Sequence, residues 1–146
     1  MTVLDAFAVI AFLRDEPARD EVETLLRAAE TCRTSVVNLA EIIDVLGRSK
    51  QLDARMVKEQ LRLMEVGGLR FEPVDARSAE LAGNLRAQHY RRSDCAISVA
   101  DCFALALTTM TGERLATADA ALLGVATKVG ARFIALPDSS GRRPQV

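Results

Sequence analysis

The chain has 146 residues, the size of one ordinary domain, and 49% of them are hydrophobic, which is enough to form a core. Its 19 lysines and arginines are balanced by 20 aspartates and glutamates, giving a formal net charge of −1. This balance excludes a protein that binds nucleic acid through a general positive excess, so any nucleic-acid site must be local. Three cysteines without a CxxC spacing and a single histidine exclude a zinc site built from thiolates and imidazoles.

The start of the chain predicts neither a signal peptide nor a membrane span. Residues 1–5 contain no lysine or arginine, and the apolar stretch from Phe7 to Leu13 is far too short to cross a bilayer. The charged run Arg14-Asp15-Glu16 follows it directly. Together with cysteines that are best explained as reduced core residues, this predicts a cytoplasmic protein with no membrane contact.

Short β-like runs alternate with longer helical patterns along the chain. The predicted strands are Val3–Leu4, Cys32–Val36, Leu69–Val74, Arg114–Thr117 and Ala131–Leu136. The predicted helices are Ala6–Leu13, Ala18–Ala29, Val37–Arg48, Asp53–Val66 with Leu52 in its apolar stripe, Asp75 to about His89, Ile97–Met110 and Asp119 to about Lys128. Pro17 separates the first two helices, and glycines at 67, 112 and 130 end three others.

This alternation predicts an α/β fold with a central parallel sheet of about five strands flanked by helices. One domain would cover residues 1–136, followed by a loose tail at 137–146. Ligands of such sheets bind beyond the carboxyl ends of the strands, near a switch in strand order. Asp5 follows the first predicted strand and Asp119 follows the fourth, so both are candidates for a site there.

Each of these acids also has a purely structural interpretation. Asp5 and Asp119 directly precede helices, where an aspartate cap contributes about 1 kcal/mol and is common. Asp101 lies three residues after Ser98, which is the spacing of a capping box. Caps therefore remain an alternative explanation for all three.

The surroundings of Asp101 favour a further role. Its predicted helix, Ile97–Met110, is strongly apolar and contains no lysine or arginine. A carboxylate in such a helix is unfavourable unless something pairs with it, and a metal ion is the natural candidate.

Glu41 presents the same problem in another apolar helix, between Ala40 and Ile42. Asn38 lies three residues earlier on nearly the same face. The structural alternative is a narrow solvated stripe shared with Arg48.

Taken together, the four acids predict a metal site. Clustered carboxylates repel one another unless a cation binds, and oxygen-rich sites without histidine suit Mg²⁺, with Mn²⁺ as the alternative. Such an ion holds phosphates and activates water for attack on a phosphodiester.

Four segments in order then resemble the PIN domain, and most closely the VapC-type ribonuclease toxins of bacterial toxin–antitoxin pairs. They are residues 3–5 (VLD), 35–41 (SVVNLAE), 97–102 (ISVADC) and 115–119 (LATAD). The resemblance covers about residues 1–136.

The resemblance implies a parallel sheet flanked by helices and a metal-dependent endoribonuclease. Asp5 and Asp101 would be the principal metal ligands, Asp119 would complete the site, and Glu41 would bind a second ion or orient its waters. Thr117 would lie near the metal-bound phosphate, where a metal-activated water attacks in line and expels the 3′ oxygen. The chain departs from many relatives after Asp119, where residues 120–122 (AAL) lack another acid. This departure weakens the expectation of a tightly held second ion.

The implied partners are an RNA substrate, a small cognate antitoxin and a second copy of the chain in a homodimer. Thr117, Asn38 and Arg92 are the candidate substrate contacts. Arg92 belongs to a basic patch with Arg86 and Arg91 beside Tyr90, which is either a track for an RNA strand or a solvated helix end.

Two other functions stay open at this point. A PIN-like module could bind RNA or protein without cleaving, although all four acids are present. DNA flap cleavage is disfavoured because the short chain lacks additional segments that grip branched DNA.

Overall fold

The computed structural model describes residues 1–28, 31–49 and 53–145. The strands in these ranges are β1 (Thr2–Leu4), β2 (Cys32–Ser35), β3 (Leu69–Glu72), β4 (Arg114–Thr117) and β5 (Phe133–Ala135). The helices are α1 (Ala6–Leu13), α2 (Arg19–Arg27), α3 (Val36–Gly47), α4 (Ala54–Val66), α5 (Ala76–His89), α6 (Val99–Thr111) and α7 (Ala120–Lys128). Three positions used in the predictions lie outside the described residues: Ala29, Leu52 and Val146.

The strands form one parallel sheet in the order β3-β2-β1-β4-β5, which confirms the predicted fold class. The chain builds outward from β1 to β3 and then returns to the other side of β1 for β4 and β5. The strand order therefore reverses between β1 and β4. Their carboxyl ends border the position where parallel α/β sheets bind ligands.

Successive strand residues point to opposite faces of the sheet, and helices pack against both faces. Leu4 and Ala116 belong to a core cluster with residues of α1–α4. Val3 and Leu115, their immediate neighbours in the strands, belong to a second cluster with residues of α5–α7. No helix in the described part of the chain combines the length and apolar character that a membrane span needs.

Serine caps set two element boundaries that differ slightly from the sequence prediction. β2 ends one residue early, because the Ser35 hydroxyl accepts a hydrogen bond from the Asn38 N–H at 3.1 Å and starts α3. α6 begins two residues late, because Ser98 caps it through the Asp101 N–H at 3.0 Å. In both cases the serine side chain, which an apolar pattern does not register, decides where the helix begins.

The segment after β5, predicted to be a loose tail, contains a turn and an ion pair. Pro137 is buried, and the Asp138 N–H donates to the Arg142 carbonyl at 2.7 Å in a turn. Arg143 then pairs with Glu21 of α2 at 2.6 Å. These contacts close a turn within the segment and join it to α2, although it contains no regular element.

Two glycines in different backbone environments allow a matched test of the fold. Gly112 ends α6 with φ of +68°, whereas Gly124 lies inside α7; a Cβ at either position meets no atom within 4 Å. We expect Gly112→Ala to lower the free energy of unfolding by about 1 kcal/mol because of left-handed strain. Gly124→Ala should raise it by up to about 1 kcal/mol, because alanine favours helix interiors. Urea denaturation of both variants measures the difference, and shifts of the same sign would contradict these backbone assignments.

Candidate active site at the carboxyl end of the sheet

A cleft of about 620 Å³ opens at the carboxyl ends of β1 and β4. Asp5, Glu41, Asp101 and Asp119 all line it. They come from the end of β1, from α3, from α6 and from the connection between β4 and α7. The fold therefore brings together all four acids that the sequence singled out.

Asp5 is the most deeply buried of the four, with 2% of its surface exposed. Its Oδ1 accepts a hydrogen bond from the Ala8 N–H at 2.8 Å, which caps α1. The pKa of Asp5 is raised to about 7, mainly by burial. Hydrogen bonds from Thr117 and Ala8 oppose this shift, and repulsion from Asp101 and Asp119 adds to it. Near neutral pH this carboxyl is thus close to half protonated unless a cation stabilises its charge.

Asp101 forms the capping box that its spacing from Ser98 indicated. Its Oδ2 accepts from the Ser98 N–H at 2.7 Å, and its own N–H donates to the Ser98 Oγ at 3.0 Å. Burial nevertheless raises the pKa of Asp101; the Ser98 hydrogen bonds oppose this shift, and the charge of Asp119 adds to it. The cap therefore offsets only part of the effect of burial on this carboxylate.

Asp119 and Glu41 complete the acidic lining from opposite sides of the strand switch. The Asp119 Oδ1 accepts from the Leu122 N–H at 2.7 Å and caps α7, and the Asp119 N–H donates to the Thr117 Oγ1 at 3.0 Å. On α3, burial raises the pKa of Glu41, with added repulsion from Asp101 and Asp44.

Capping and site formation are therefore compatible explanations for the three aspartates. Each cap uses one of the two oxygens of a carboxylate. The first turns of α1, α6 and α7 also present partly positive N–H groups to these side chains. The sequence left two explanations open, and the structure supports the cap for each acid while placing that acid on the cleft.

The donor set suits a hard divalent cation that retains part of its hydration shell. It consists of carboxylate oxygens, which Mg²⁺ and Mn²⁺ prefer. Among the described residues, however, no three side chains of His, Cys, Asp or Glu are grouped closely enough to hold an ion by themselves. Mg²⁺ is commonly held by one or two carboxylates, with waters and substrate phosphates filling its other positions. The described acids therefore offer suitable donor atoms without forming a closed protein cage.

The three predicted substrate contacts do not line the cleft directly. Thr117 is fully buried and hydrogen-bonds Asp5 and Asp119, so it positions both acids. Asn38 is also fully buried; its Nδ2 donates to the Ala100 carbonyl at 3.1 Å and ties α3 to the first turn of α6. Arg92 is exposed in the connector after α5 and lies outside the cleft lining.

The basic patch around Arg92 has the contacts of a helix end. The Arg86 guanidinium lies 4.2 Å from the centre of the Tyr90 ring. Arg91 donates to the carbonyls of Gln88 and Tyr90 at 3.2 and 2.7 Å, where the last turn of α5 leaves carbonyls without helical partners. These contacts support the helix-end interpretation over the RNA track.

The cleft also contains residues that the sequence analysis did not select: Arg14, Glu16, Asp138 and Ser139. Asp138 follows β5, just as Asp5 and Asp119 follow strands, so the same criterion would have selected it. No comparable signal marks Arg14, because its position depends on how α1 packs beside α3. The lining therefore includes one basic side chain within the part of the chain that the structure describes.

A family model described as the PIN domain matches residues 2–128. A search of curated proteins found no significant match.

Several solved structures share the fold at low sequence identity. The Rickettsia felis VapBC2 complex bound to a DNA fragment from its promoter matches with a TM-score of 0.66 and 16% identity, over 91% of this chain and 96% of that one. Mycobacterium tuberculosis VapC20, described as a sarcin–ricin loop cleaving toxin, matches with a TM-score of 0.61 and 17% identity, over 79% of this chain and 87% of that one. A toxin–antitoxin complex from Klebsiella pneumoniae matches with a TM-score of 0.57 and 18% identity, over 82% of this chain and 87% of that one. At these identities the likeness establishes the fold.

The raised pKa of Asp5 predicts how stability depends on pH in the metal-free protein. Its pKa is about 7 in the folded protein and ordinarily 3.8, so the folded state binds the proton more tightly between these limits. The free energy of unfolding should therefore fall as pH rises from 5 to 8, by about 2 kcal/mol from this group. Asp5→Asn should flatten most of that decline, since an amide can still cap α1 but does not ionise.

Asp75→Asn is the matched control, because Asp75 caps α5 at an exposed position and its pKa is lowered. This variant should keep the decline between pH 5 and 8. Thermal unfolding in EDTA at several pH values gives the comparison. Wild-type stability that stays level or rises over this range would contradict the assigned environment of Asp5.

Proposed function

Because the chain belongs to the PIN-domain family, we propose that it is a metal-dependent endoribonuclease that hydrolyses RNA and acts as the toxin of a toxin–antitoxin pair. The observation that carries this proposal is the convergence of four acids from separate elements on one cleft at the strand switch. Helix capping alone would not require three caps and a glutamate to meet at one place. Their mutual repulsion is offset when a divalent cation binds.

In this proposal Asp5 and Asp101 are the principal ligands of Mg²⁺, with Mn²⁺ as the alternative ion. Asp119 completes the site, and Glu41 orients water or binds a second ion. When bound, the ion supplies positive charge at the phosphate and lowers the pKa of a water molecule for hydrolysis. The oxygen-only donor set and the raised pKa values of Asp5, Glu41 and Asp101 support this assignment.

The chain's own contacts hold these carboxylates in place. Ser98 fixes one oxygen of Asp101, and Thr117 hydrogen-bonds Asp5. Asn38 joins α3 to α6, so that Glu41 and Asp101 keep their relative position. Fixed ligands bind an ion with less reorganisation, which is the contribution that supporting hydrogen bonds make to metal sites.

Ionisation couples cation binding to pH. Asp5 has to lose its proton before it binds a cation, and its pKa of about 7 lies close to neutrality. The affinity for Mg²⁺ should accordingly rise with pH through this range.

The RNA substrate and the antitoxin are extensions from proteins of the same fold. One of them is described as a toxin that cleaves the sarcin–ricin loop, and another is a toxin–antitoxin complex. A net charge of −1 is consistent with RNA held locally at the cleft, with part of the negative charge offset by the ion. The homodimer and the cytoplasmic location remain predictions from the sequence.

A PIN-like module that binds without cleaving is the alternative. The observation in its favour is that three of the acids already cap helices, while no three candidate ligands in the described ranges form a closed group. Activity measurements on the purified protein distinguish the two functions.

We expect the purified protein to cleave RNA in Mg²⁺ or Mn²⁺ and to stop when EDTA is added. Asp101→Asn should reduce the rate at least about 100-fold, because loss of a residue that merely supports a ligand already costs about 10- to 100-fold. The amide can still accept the Ser98 N–H bond, so the capping box and the fold should persist. Gel-resolved cleavage and mapping of new 5′ ends provide the measurement.

Asp75→Asn makes the same chemical change at an exposed cap outside the cleft and should retain wild-type activity. Cleavage that persists in EDTA, or full turnover by folded Asp101→Asn, would refute the metal-dependent site. RNA binding with no cleavage under any metal condition would favour the silent module.

The toxin assignment predicts a growth phenotype with a specific antidote. Expression of the wild-type chain in a bacterial host should arrest growth, whereas Asp101→Asn should not. Co-expression of a small DNA-binding protein encoded in the neighbouring reading frame should relieve the arrest and copurify with the chain. If no neighbouring frame encodes such a protein, or if co-expression leaves growth arrested, the antitoxin partnership fails while the nuclease proposal stands.

A further inference from the structure

Arg14 is the basic side chain in the acidic cleft. It lines the same cavity as Asp5, Glu41, Asp101 and Asp119, and within the described ranges no other lysine, arginine or histidine does so. The sequence analysis used Arg14 only as the charged end of an apolar stretch. Its location places a positive group beside the cluster of acids.

The backbone at Arg14 makes a tight turn that ends α1. Arg14 is the C-cap, and Asp15 follows with φ of +58°, a left-handed conformation that non-glycine residues seldom adopt. The Glu16 N–H returns to the Ala11 carbonyl at 2.9 Å, which closes the turn as a Schellman motif. This turn sets the direction in which the chain leaves α1 at Arg14.

The guanidinium of Arg14 is only weakly satisfied by its surroundings. Its Nη2 donates to the Val45 carbonyl at a long 3.4 Å, and its Nη1 is 4.0 Å from the Glu16 Oε1. Its Nε is buried and has no hydrogen-bond partner. By contrast, Arg48 lies 2.6 Å from Asp44 on the protein surface.

The Arg14 side chain is 27% exposed, and because Nε itself has no open surface, a ligand oxygen would reach the Nη groups. The guanidinium is a planar fork of N–H donors whose spacing matches the oxygens of a phosphate. The carboxylate of Glu16 lies 4.0 Å away, beyond hydrogen-bonding distance, so it does not satisfy these donors. The free donors therefore suit an anion that enters the cleft from outside.

We propose that Arg14 binds a phosphate of the RNA strand at the edge of the acidic cleft. This inference rests on the proposed nuclease function. The divalent ion neutralises part of the acidic charge, and Arg14 supplies the protein's own positive contact with the backbone of the substrate. Arg14 is thus a substrate-binding residue that the family motifs do not include. The competing explanation is structural, namely that Arg14 only ties α1 to α3 through the Val45 carbonyl.

The test is steady-state cleavage of a short RNA by wild type, Arg14→Gln, Arg14→Lys and Arg27→Gln at saturating Mg²⁺. Arg27→Gln removes the same charge at an exposed position of α2 outside the cleft. We expect Arg14→Gln to raise KM by roughly 10-fold or more, as loss of a charge-assisted phosphate contact should. Arg14→Lys should fall between this variant and wild type, because it retains the charge and loses the fork.

Salt dependence adds a readout that a structural role would not change. Each phosphate contact with a single strand contributes about 0.7 to the slope of log affinity against log salt concentration. Arg14→Gln should reduce that slope, measured from KM, by about this amount, whereas Arg27→Gln should keep the wild-type slope. Circular dichroism establishes that each variant is folded.

The outcomes separate this inference from the function on which it rests. Wild-type KM and salt slope in folded Arg14→Gln would overturn the phosphate contact and leave the nuclease intact. If Arg14→Gln does not fold, Arg14→Lys decides, and a wild-type KM in that variant would overturn the contact through the guanidinium fork. A wild-type protein that cleaves no RNA in any metal condition would overturn both proposals.

Discussion

Burial of carboxylates at one end of the sheet is the constraint on which the rest of this structure depends. Asp5 is almost fully buried, and its pKa is raised to about 7 by burial and by two neighbouring aspartates. Such an arrangement is unfavourable in the folded state near neutral pH, and capping bonds offset only part of this energy. It persists because the carboxylates are held by the same contacts that start the surrounding helices.

This double use of each aspartate explains how an acidic site can belong to a stable domain. The N-termini of α1, α6 and α7 each require an acceptor, and Asp5, Asp101 and Asp119 provide it with one oxygen. Removing any of them would therefore affect both a helix start and the cleft. Asparagine keeps the acceptor and removes the charge, so it separates the two roles experimentally.

The arginines near the site differ in whether their side chains have local partners. Arg86 stacks on Tyr90, and Arg91 binds carbonyls at the end of α5, so these side chains already have local partners. Arg14 contacts the cleft with a buried donor that has none. Weakly satisfied hydrogen-bonding capacity in the acidic cleft is therefore the physical reason for proposing Arg14 as the anion contact.

The sequence by itself determined the α/β class, the parallel sheet and nearly all the elements, because alternating apolar patterns, Pro17 and the glycines at 112 and 130 are local signals that the backbone obeys. It also singled out the four acids that line the cleft. Asp5 and Asp119 follow strands, and Glu41 and Asp101 lie in apolar helices. Only the tertiary structure decided that Thr117 and Asn38 support the acids from buried positions, and that Arg14 and Asp138 reach the same cleft. Those placements depend on how α1 packs beside α3 and on where the segment after β5 places Asp138. Such long-range contacts leave no periodic trace in the chain, because they join residues that are far apart in sequence.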